Sequence, residues 1–317
     1  MGKILITGAL GQIGSVLGSA LKQHYGDDQV VLSDIKDNGS KGIFELLDIT
    51  DIARLREVVH KHNIDTVYHL AAILSAKGEE DPLWTWDLNM QGLFNVLELG
   101  KDKSISKIFF PSSIAVFGKQ SKLIKAPQSS LTDPNTVYGI SKVSGEYWCQ
   151  YYHYKYGVDV RSLRYPGIIG YQSLPGGGTT DYAVEIFHAA LKGNEYTCFL
   201  KKDSCLPMMY MEDAMRATIE LMEAEGENIK IRTSYNITGF SFTPEKLYNE
   251  ILKYKPDFKI NNQADYRQEI ADSWPNNIDD TEAMIHWGWK SRFNLKTMVK
   301  DMFTNLEKIY LKESVKL

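Results

Sequence analysis

Tyr138-Gly139-Ile140-Ser141-Lys142 holds the side-chain pair with the most chemistry in it. Residues four apart on a helix share a face, so this spacing sets a phenol beside an ammonium. A tyrosine hydroxyl ordinarily titrates near pH ~10. A neighbouring positive charge favours the phenolate, so the spacing predicts Tyr138 as a general base near neutral pH, with Lys142 lowering its proton affinity. Ser112-Ser113 closes the apolar run Ile105–Pro111. A hydroxyl at the end of such a strand can hold a substrate oxygen while charge develops on it. Together these groups suit proton removal from an alcohol. Tyr-x-x-x-Lys pairs are common on surface helices, so the weight of this one depends on what stands near it.

What stands near it is a dinucleotide turn. The apolar run Lys3-Ile4-Leu5-Ile6 enters a turn with Gly8, Gly11 and Gly14, and a helical pattern leaves through Gln12 and Ile13. Glycine is needed where a side chain would block a turn or a close approach to phosphate. The following helix points its N-terminal N–H groups and positive dipole end at the same place, which suits a pyrophosphate. Asp34 ends the next apolar run, about twenty residues beyond Gly14. A carboxylate there accepts both ribose hydroxyls of NAD and repels a 2′-phosphate, although Lys36 and Lys41 are cations close by. The glycine spacing is Gly-x-x-Gly-x-x-Gly rather than Gly-x-Gly-x-x-Gly.

The elements that must position these groups alternate along the first half. Leu46-Leu47-Asp48-Ile49 reads as a short strand, 52–62 as a helix, 65–72 as a buried strand with a small-residue turn, and 86–100 as a helix. Further strands are expected at 105–113 and 158–164, with a helix at 138–156 between them. Repeated βαβ units build a parallel sheet covered by helices on both faces. The expected fold is therefore α/β, a Rossmann-type doubly wound sheet with a smaller, partly interleaved C-terminal substrate domain. Residues 1–165 form the NAD-binding part, with later returns near 205–240, and 166–317 the substrate-binding region. Helices are expected at 181–191 and 212–224, and a late strand at 234–237.

Composition excludes other classes. A net charge of −4 with no basic stripe argues against a nucleic-acid partner. No apolar run approaches the ~18 residues a membrane helix needs. Cys149, Cys198 and Cys205 lack C-x-x-C spacing and read as buried thiols in a reducing compartment, so a cytoplasmic location is expected. His60 and His62 point to different sides of a helix, His69 reads as a packed strand residue, and no ligand cluster for a metal appears.

These motifs resemble the extended branch of the short-chain dehydrogenase/reductase superfamily. Gly8-x-x-Gly11-x-x-Gly14 is similar to that branch's glycine pattern. His69-Leu70-Ala71-Ala72 resembles its cofactor-lining turn, and Asp48-Ile49 the pair that contacts adenine. Asn89 resembles a helix asparagine that supports the cofactor site. Ser112-Ser113-Ile114-Ala115-Val116-Phe117-Gly118 resembles the serine strand of the sugar-nucleotide epimerases, and counting back from Gly118 makes Ser113 the catalytic serine. Arg164-Tyr165-Pro166-Gly167 stands where sugar-nucleotide enzymes usually carry an asparagine. The resemblance places Tyr165 and Pro166 at the cofactor, and Pro166 removes a backbone donor there. Leu174-Pro175-Gly176-Gly177-Gly178-Thr179-Thr180-Asp181-Tyr182-Ala183, Ile270-Ala271-Asp272-Ser273-Trp274-Pro275 and Ile278-Asp279-Asp280 are similar to the short-chain type L-threonine 3-dehydrogenases.

That resemblance implies NAD-dependent oxidation of the threonine 3-hydroxyl to 2-amino-3-oxobutanoate, with Tyr138, Lys142 and Ser113 catalytic. Ser75, Gly178, Thr179, Thr180 and Asp181 would meet the substrate. Thr179 or Thr180 is expected to cap the next helix, leaving free N–H groups for a carboxylate, while Asp181 faces an ammonium. The three glycines suit a closing loop. Trp84 and Trp86 read as core or lid residues. Tyr147, Tyr151 and Tyr154 fall on one helix face and suggest a homodimer through this helix and the one bearing Asn89. Two rival readings are a sugar-nucleotide epimerase or dehydratase of the same fold and a non-catalytic NAD(P)-binding redox sensor.

Overall fold

In chain order the first half runs β1 (Lys3–Thr7), α1 (Gln12–Tyr25), β2 (Val30–Asp34), β3 (Ile43–Leu46), α2 (Ile52–His62), β4 (Ile64–His69), α3 (Ser75–Gly78), α4 (Pro82–Lys101), β5 (Lys107–Ser113), α5 (Val137–Tyr156) and β6 (Asp159–Tyr165). The second half runs β7 (Gly167–Ile169), α6 (Tyr182–Lys192), β8 (Tyr196–Cys198), β9 (Leu206–Tyr210), α7 (Met211–Glu223), β10 (Tyr235–Asn236), β11 (Phe240–Phe242), α8 (Pro244–Ile251), β12 (Ile260–Asn262), α9 (Arg267–Ser273), α10 (Thr281–Trp287) and α11 (Leu295–Ser314). This computed structural model describes residues 2–37, 39, 42–174 and 176–314; Lys41 and Pro175 lie outside them.

Seven strands form one parallel sheet in the order β3-β2-β1-β4-β5-β6-β10. The chain builds outward from β1 to β3, then returns to add β4 on the other side of β1. The C-terminal ends of β1 and β4 therefore flank a topological switch point, where open α/β sheets bind ligands. The doubly wound arrangement expected from the βαβ rhythm is present. Helices cover both faces. Leu17 and Leu21 of α1 pack with Ala214 and Leu221 of α7. On the other face Leu55 and Val58 of α2 join Leu93 and Val96 of α4, with Cys149 and Tyr152 of α5. Each such fully buried aliphatic side chain contributes roughly 1.5–3 kcal/mol. A third apolar cluster joins α6, α8 and α11 through Phe187, Leu247 and Phe303. Two small sheets, β11-β9-β7 and β12-β8, stand beside it.

Two elements differ from the sequence reading. The third strand ends at Leu46 instead of running through Leu47–Ile49, because its partner β2 ends at Asp34. Asp48 instead turns the chain, accepting from Thr50 N at 2.9 Å and Thr50 Oγ1 at 2.7 Å. Helix α4 begins at Pro82, four residues before the expected Trp86, since Asp81 caps it by accepting from Trp84 N and Pro82 needs no N–H there. Among the described residues no helix is long and apolar enough to cross a membrane.

Candidate active site

The glycine turn leaves β1 with Gly8 at φ +68°, and a Cβ on Gly8 would lie 2.7 Å from Ala71 N. A Cβ on Gly14 would lie 2.2 Å from Gly8 O, so α1 packs directly on the turn. Gly11 meets only Gly8 O, at 3.3 Å. Gly8 and Gly14 serve the backbone; Gly11 leaves space toward the groove. Helix α1 starts with no side-chain cap and no acid in its first turn. Asp34 pins the turn, its Oδ2 accepting from Leu10 N at 3.0 Å and its Oδ1 from Ile35 N at 2.8 Å.

From β4, His69 supports the same turn. Ala71 N donates to Thr7 Oγ1 at 3.4 Å, and Thr7 Oγ1 and His69 Nδ1 are hydrogen-bonded at 3.0 Å. Burial pushes His69 down to about 3, with Lys142 adding repulsion, so it is neutral. Asn89 lines neither cavity described below. Its Oδ1 accepts from Ile73 N at 2.8 Å, and its Nδ2 donates to Ile73 O and Ser141 Oγ. Asn89 thus ties the segment after β4 to α5 from behind the groove.

Two cavities meet over the glycine turn, sharing Gly8, Gly11, Leu70 and Ala72. The larger, about 810 Å³, is lined by Asp34, Asp48, Ile49 and Ala71, with Trp84 and Trp86 across from them. Trp84 is 47% exposed, so it is a rim residue and not core. The smaller, about 240 Å³, brings together Gln12, Ile13 and Gly14 with Ser75, Ser113, Tyr138, Lys142, Tyr165, Pro166, Gly178, Thr179, Thr180 and Asp181.

Helix α5 reaches this cavity because two glycines let it sit on β5. A Cβ on Gly139 would lie 2.2 Å from Ala115 O, and one on Gly145 would lie 2.6 Å from Phe110 Cζ. Thr136 caps the helix by accepting from Gly139 N at 3.0 Å. Ser113 Oγ accepts from Ala115 N and lines the cavity together with Tyr138. Its neighbour Ser112 turns inward and donates to Glu146 Oε1 at 2.6 Å. Glu146 is held in turn by Arg164, whose Nε and Nη2 donate at 2.8 and 2.7 Å. Lys142 Nζ donates to Pro111 O at 2.7 Å and lies 5.5 Å from the Tyr138 ring centre.

The electrostatics differ from the sequence expectation. Burial pushes Tyr138 up to about 12, against the opposing pull of the Ser113 hydroxyl. Burial pushes Lys142 down to about 8, opposed by Cys149 and Glu146. With only the protein's own groups present, desolvation of both charged forms outweighs the expected ammonium–phenolate attraction, and Tyr138 is protonated at neutral pH.

The glycine loop also differs. Asp181, not Thr179 or Thr180, stands at the N-terminus of α6, in a helical conformation and without a side-chain cap bond. Its Oδ2 accepts from Gly177 N and Gly178 N, both at 2.7 Å. The N–H groups of Gly177 and Gly178, in the loop ahead of the helix, are therefore taken by Asp181, whose proton affinity burial raises. Tyr165 likewise spends its hydroxyl in a bond with Thr218 of α7. Sequence reasoning gave no role to Trp274, at the end of α9, which lines the smaller cavity. It lay inside a segment noted only for its resemblance. Cys149 and Cys198 are buried free thiols, whereas Cys205 is partly exposed.

The NAD dependent epimerase/dehydratase family matches residues 4–238. The chain belongs to that family. As an enzyme of this epimerase/dehydratase family it uses a nicotinamide cofactor, and the groove fits one: an uncapped helix start, a turn without side chains, and Asp34 at the end of β2. The chain is 54% identical to the holo form of a GalE-like L-threonine dehydrogenase from Cupriavidus necator, with a TM-score of 0.95, covering 96% of this chain and 99% of that one. It is 46% identical over 305 residues to the mitochondrial L-threonine 3-dehydrogenase of Bos taurus, covering 95% of this chain and 81% of the bovine one. A monomeric L-threonine 3-dehydrogenase from a metagenome is 45% identical, with a TM-score of 0.94, covering 96% and 99% of the two chains.

Proposed function

We propose that the chain oxidises the 3-hydroxyl of L-threonine to 2-amino-3-oxobutanoate, with NAD as oxidant. The observation that carries this reading is the small cavity over the Ser113–Tyr138 pair. At about 240 Å³ it suits an amino acid, and Lys142 is the one cation among its described lining residues. A sugar nucleotide would bring a diphosphate that needs cationic partners. The named relatives support the same choice.

In this reading Gly8 to Gly14 take the pyrophosphate, Asp34 the adenosine ribose, and Asp48 and Ile49 the adenine. Leu70, Ala71, Ala72, Tyr165 and Pro166 wall the groove onward to the reacting end. When bound, NAD supplies the hydride acceptor and a positive ring charge. The protein's share is orientation and proton handling. Tyr138 Oη takes the proton of the substrate 3-hydroxyl, and Ser113 Oγ hydrogen-bonds the same oxygen. Lys142, as a cation, lowers the cost of the phenolate. Ser75, Gly178, Thr179, Thr180 and Asp181 close round the amino-acid part. Residues 1–165, with the return at β10, serve the cofactor, while 166–317 contribute the substrate wall.

A spectrophotometric assay for NADH with L-threonine, L-serine and UDP-sugars tests the proposal. NADH formed with L-threonine is the expected result. Interconversion of a UDP-sugar with no net NADH would replace this reading with the sugar-nucleotide one. No turnover of any hydroxy-amino acid or sugar would leave a binding protein.

A further inference from the structure

We infer that the indole N–H of Trp274 is a donor to the substrate carboxylate. The inference rests on the proposed threonine reaction. Trp274 is 5% exposed and lines the smaller cavity, yet its Nε1 has no hydrogen-bond partner among the described residues. A buried donor left unpaired costs about 1–3 kcal/mol, and native structures rarely keep one without a use. The residue is also firmly placed. Its own backbone N donates to Ala271 O at 3.2 Å. The preceding Ser273 Oγ accepts from Asn135 Nδ2 at 3.2 Å, just ahead of the helix that carries Tyr138. Beyond it, Asn276 N donates to Leu123 O at 2.7 Å, and Ala126 pairs with Ile278. The indole is thus strapped to the serine-strand side of the cavity before any ligand arrives.

The choice of acceptor follows by chemistry. The substrate ammonium only donates. The reacting oxygen is engaged by Ser113 and Tyr138. The carboxylate is the acceptor that remains, and it needs donors. Lys142 is assigned to the phenolate in the proposed reaction, and one of its three Nζ donors is already on Pro111 O. The backbone N–H groups of Gly177 and Gly178 are held by Asp181. A carboxylate in this cavity is therefore met by neutral donors, and a tryptophan N–H is a strong neutral donor on a rigid frame.

Two measurements decide. Kinetics compare L-threonine with 1-amino-2-propanol, which is threonine without its carboxylate, in the wild-type protein and in Trp274→Phe. The ratio of kcat/KM for threonine to that for the amino alcohol is expected to fall about 10- to 100-fold in the variant, mainly through KM for threonine. An equal loss on both substrates would reduce Trp274 to packing and overturn the inference. In the second measurement, ¹⁵N–¹H spectra of the NADH complex follow the indole signals, with the Trp274 signal assigned by its loss in the variant. Threonine is expected to move that signal downfield, and 1-amino-2-propanol is not. A Trp274 signal that stays still while wild-type protein turns over threonine overturns the carboxylate contact alone. No turnover and no movement of any signal would remove the threonine reading itself, and this inference with it.

Discussion

At the scale of single residues, Tyr138 begins in the wrong protonation state for the role proposed for it. Burial holds it near 12, whereas a base must shed its proton. The deprotonated fraction rises with pH, so kcat/KM is expected to climb from neutral toward alkaline pH. The help from Lys142 fades above about 8, where that amine loses its charge. Lys142→Ala is expected to move the rising limb upward by at least about one pH unit. Tyr138→Phe is expected to lower kcat about 10²- to 10⁴-fold while dinucleotide binding, followed by fluorescence quenching, survives. A pH profile for Lys142→Ala that overlays the wild type would remove the electrostatic role.

At the scale of elements, the contact between α5 and the end of β5 sets the distance between hydroxyl and phenol. Gly139→Ala puts a methyl 2.2 Å from Ala115 O, which is backbone and cannot rotate aside. The helix start must lift, and we expect a loss of about 1–3 kcal/mol in urea unfolding together with a kcat loss of at least about tenfold. A variant with normal stability and normal kcat would show that the approach is not critical. His69 carries a second expectation. Its folded value of about 3 lies below the ordinary ~6.5, so the unfolded chain binds the proton first as pH falls. The stability it contributes is present above ~6.5 and declines toward about 3. Glu212, held up to about 7 by burial, changes stability in the opposite direction over part of that range, so the comparison must be between variants. The advantage of wild type over His69→Gln is expected to shrink by about 2 kcal/mol between pH 7 and pH 5. A constant difference would place no buried neutral histidine at this position.

The elements also show how far the sequence could be read. The periodic pieces, α2 and α5 among them, and the order of the βαβ units follow from local apolar spacing, and the glycine turn with Asp34 announces its groove. Asp81-Pro82 carried a visible cap and N1 signal for α4 that periodicity alone passed over. Leu47–Ile49 look like strand residues, but a strand lasts only as long as its neighbour, and β2 stops at Asp34. The reach of Asp181 back to Gly177 and Gly178 is a local turn of the loop, three and four residues upstream, that a capping rule for threonine does not describe. Trp274 meets the site only through contacts between distant segments, and no spacing rule joins them.

At the scale of the whole molecule, one face of α5 stays open. Tyr147 is 57%, Tyr151 46% and Tyr154 70% exposed, with Ile140 and Trp148 beside them. We propose a homodimer through this face and α4. Sedimentation at micromolar concentration is expected to give about twice 36.0 kDa, and Tyr147→Glu with Tyr151→Glu to halve the mass. A single species of monomer mass in the wild-type protein would dismiss the interface.

The strap that holds Trp274 has an evolutionary side. In the proposed reaction proton handling sits on β5 and α5, while Trp274 is brought to the same cavity from α9, far downstream in the gene. Mutations in that downstream stretch can reshape what enters without disturbing the pair that reacts. A lineage built on this scaffold is free to trade one alcohol for another by editing its second half, and to keep its chemistry in the first.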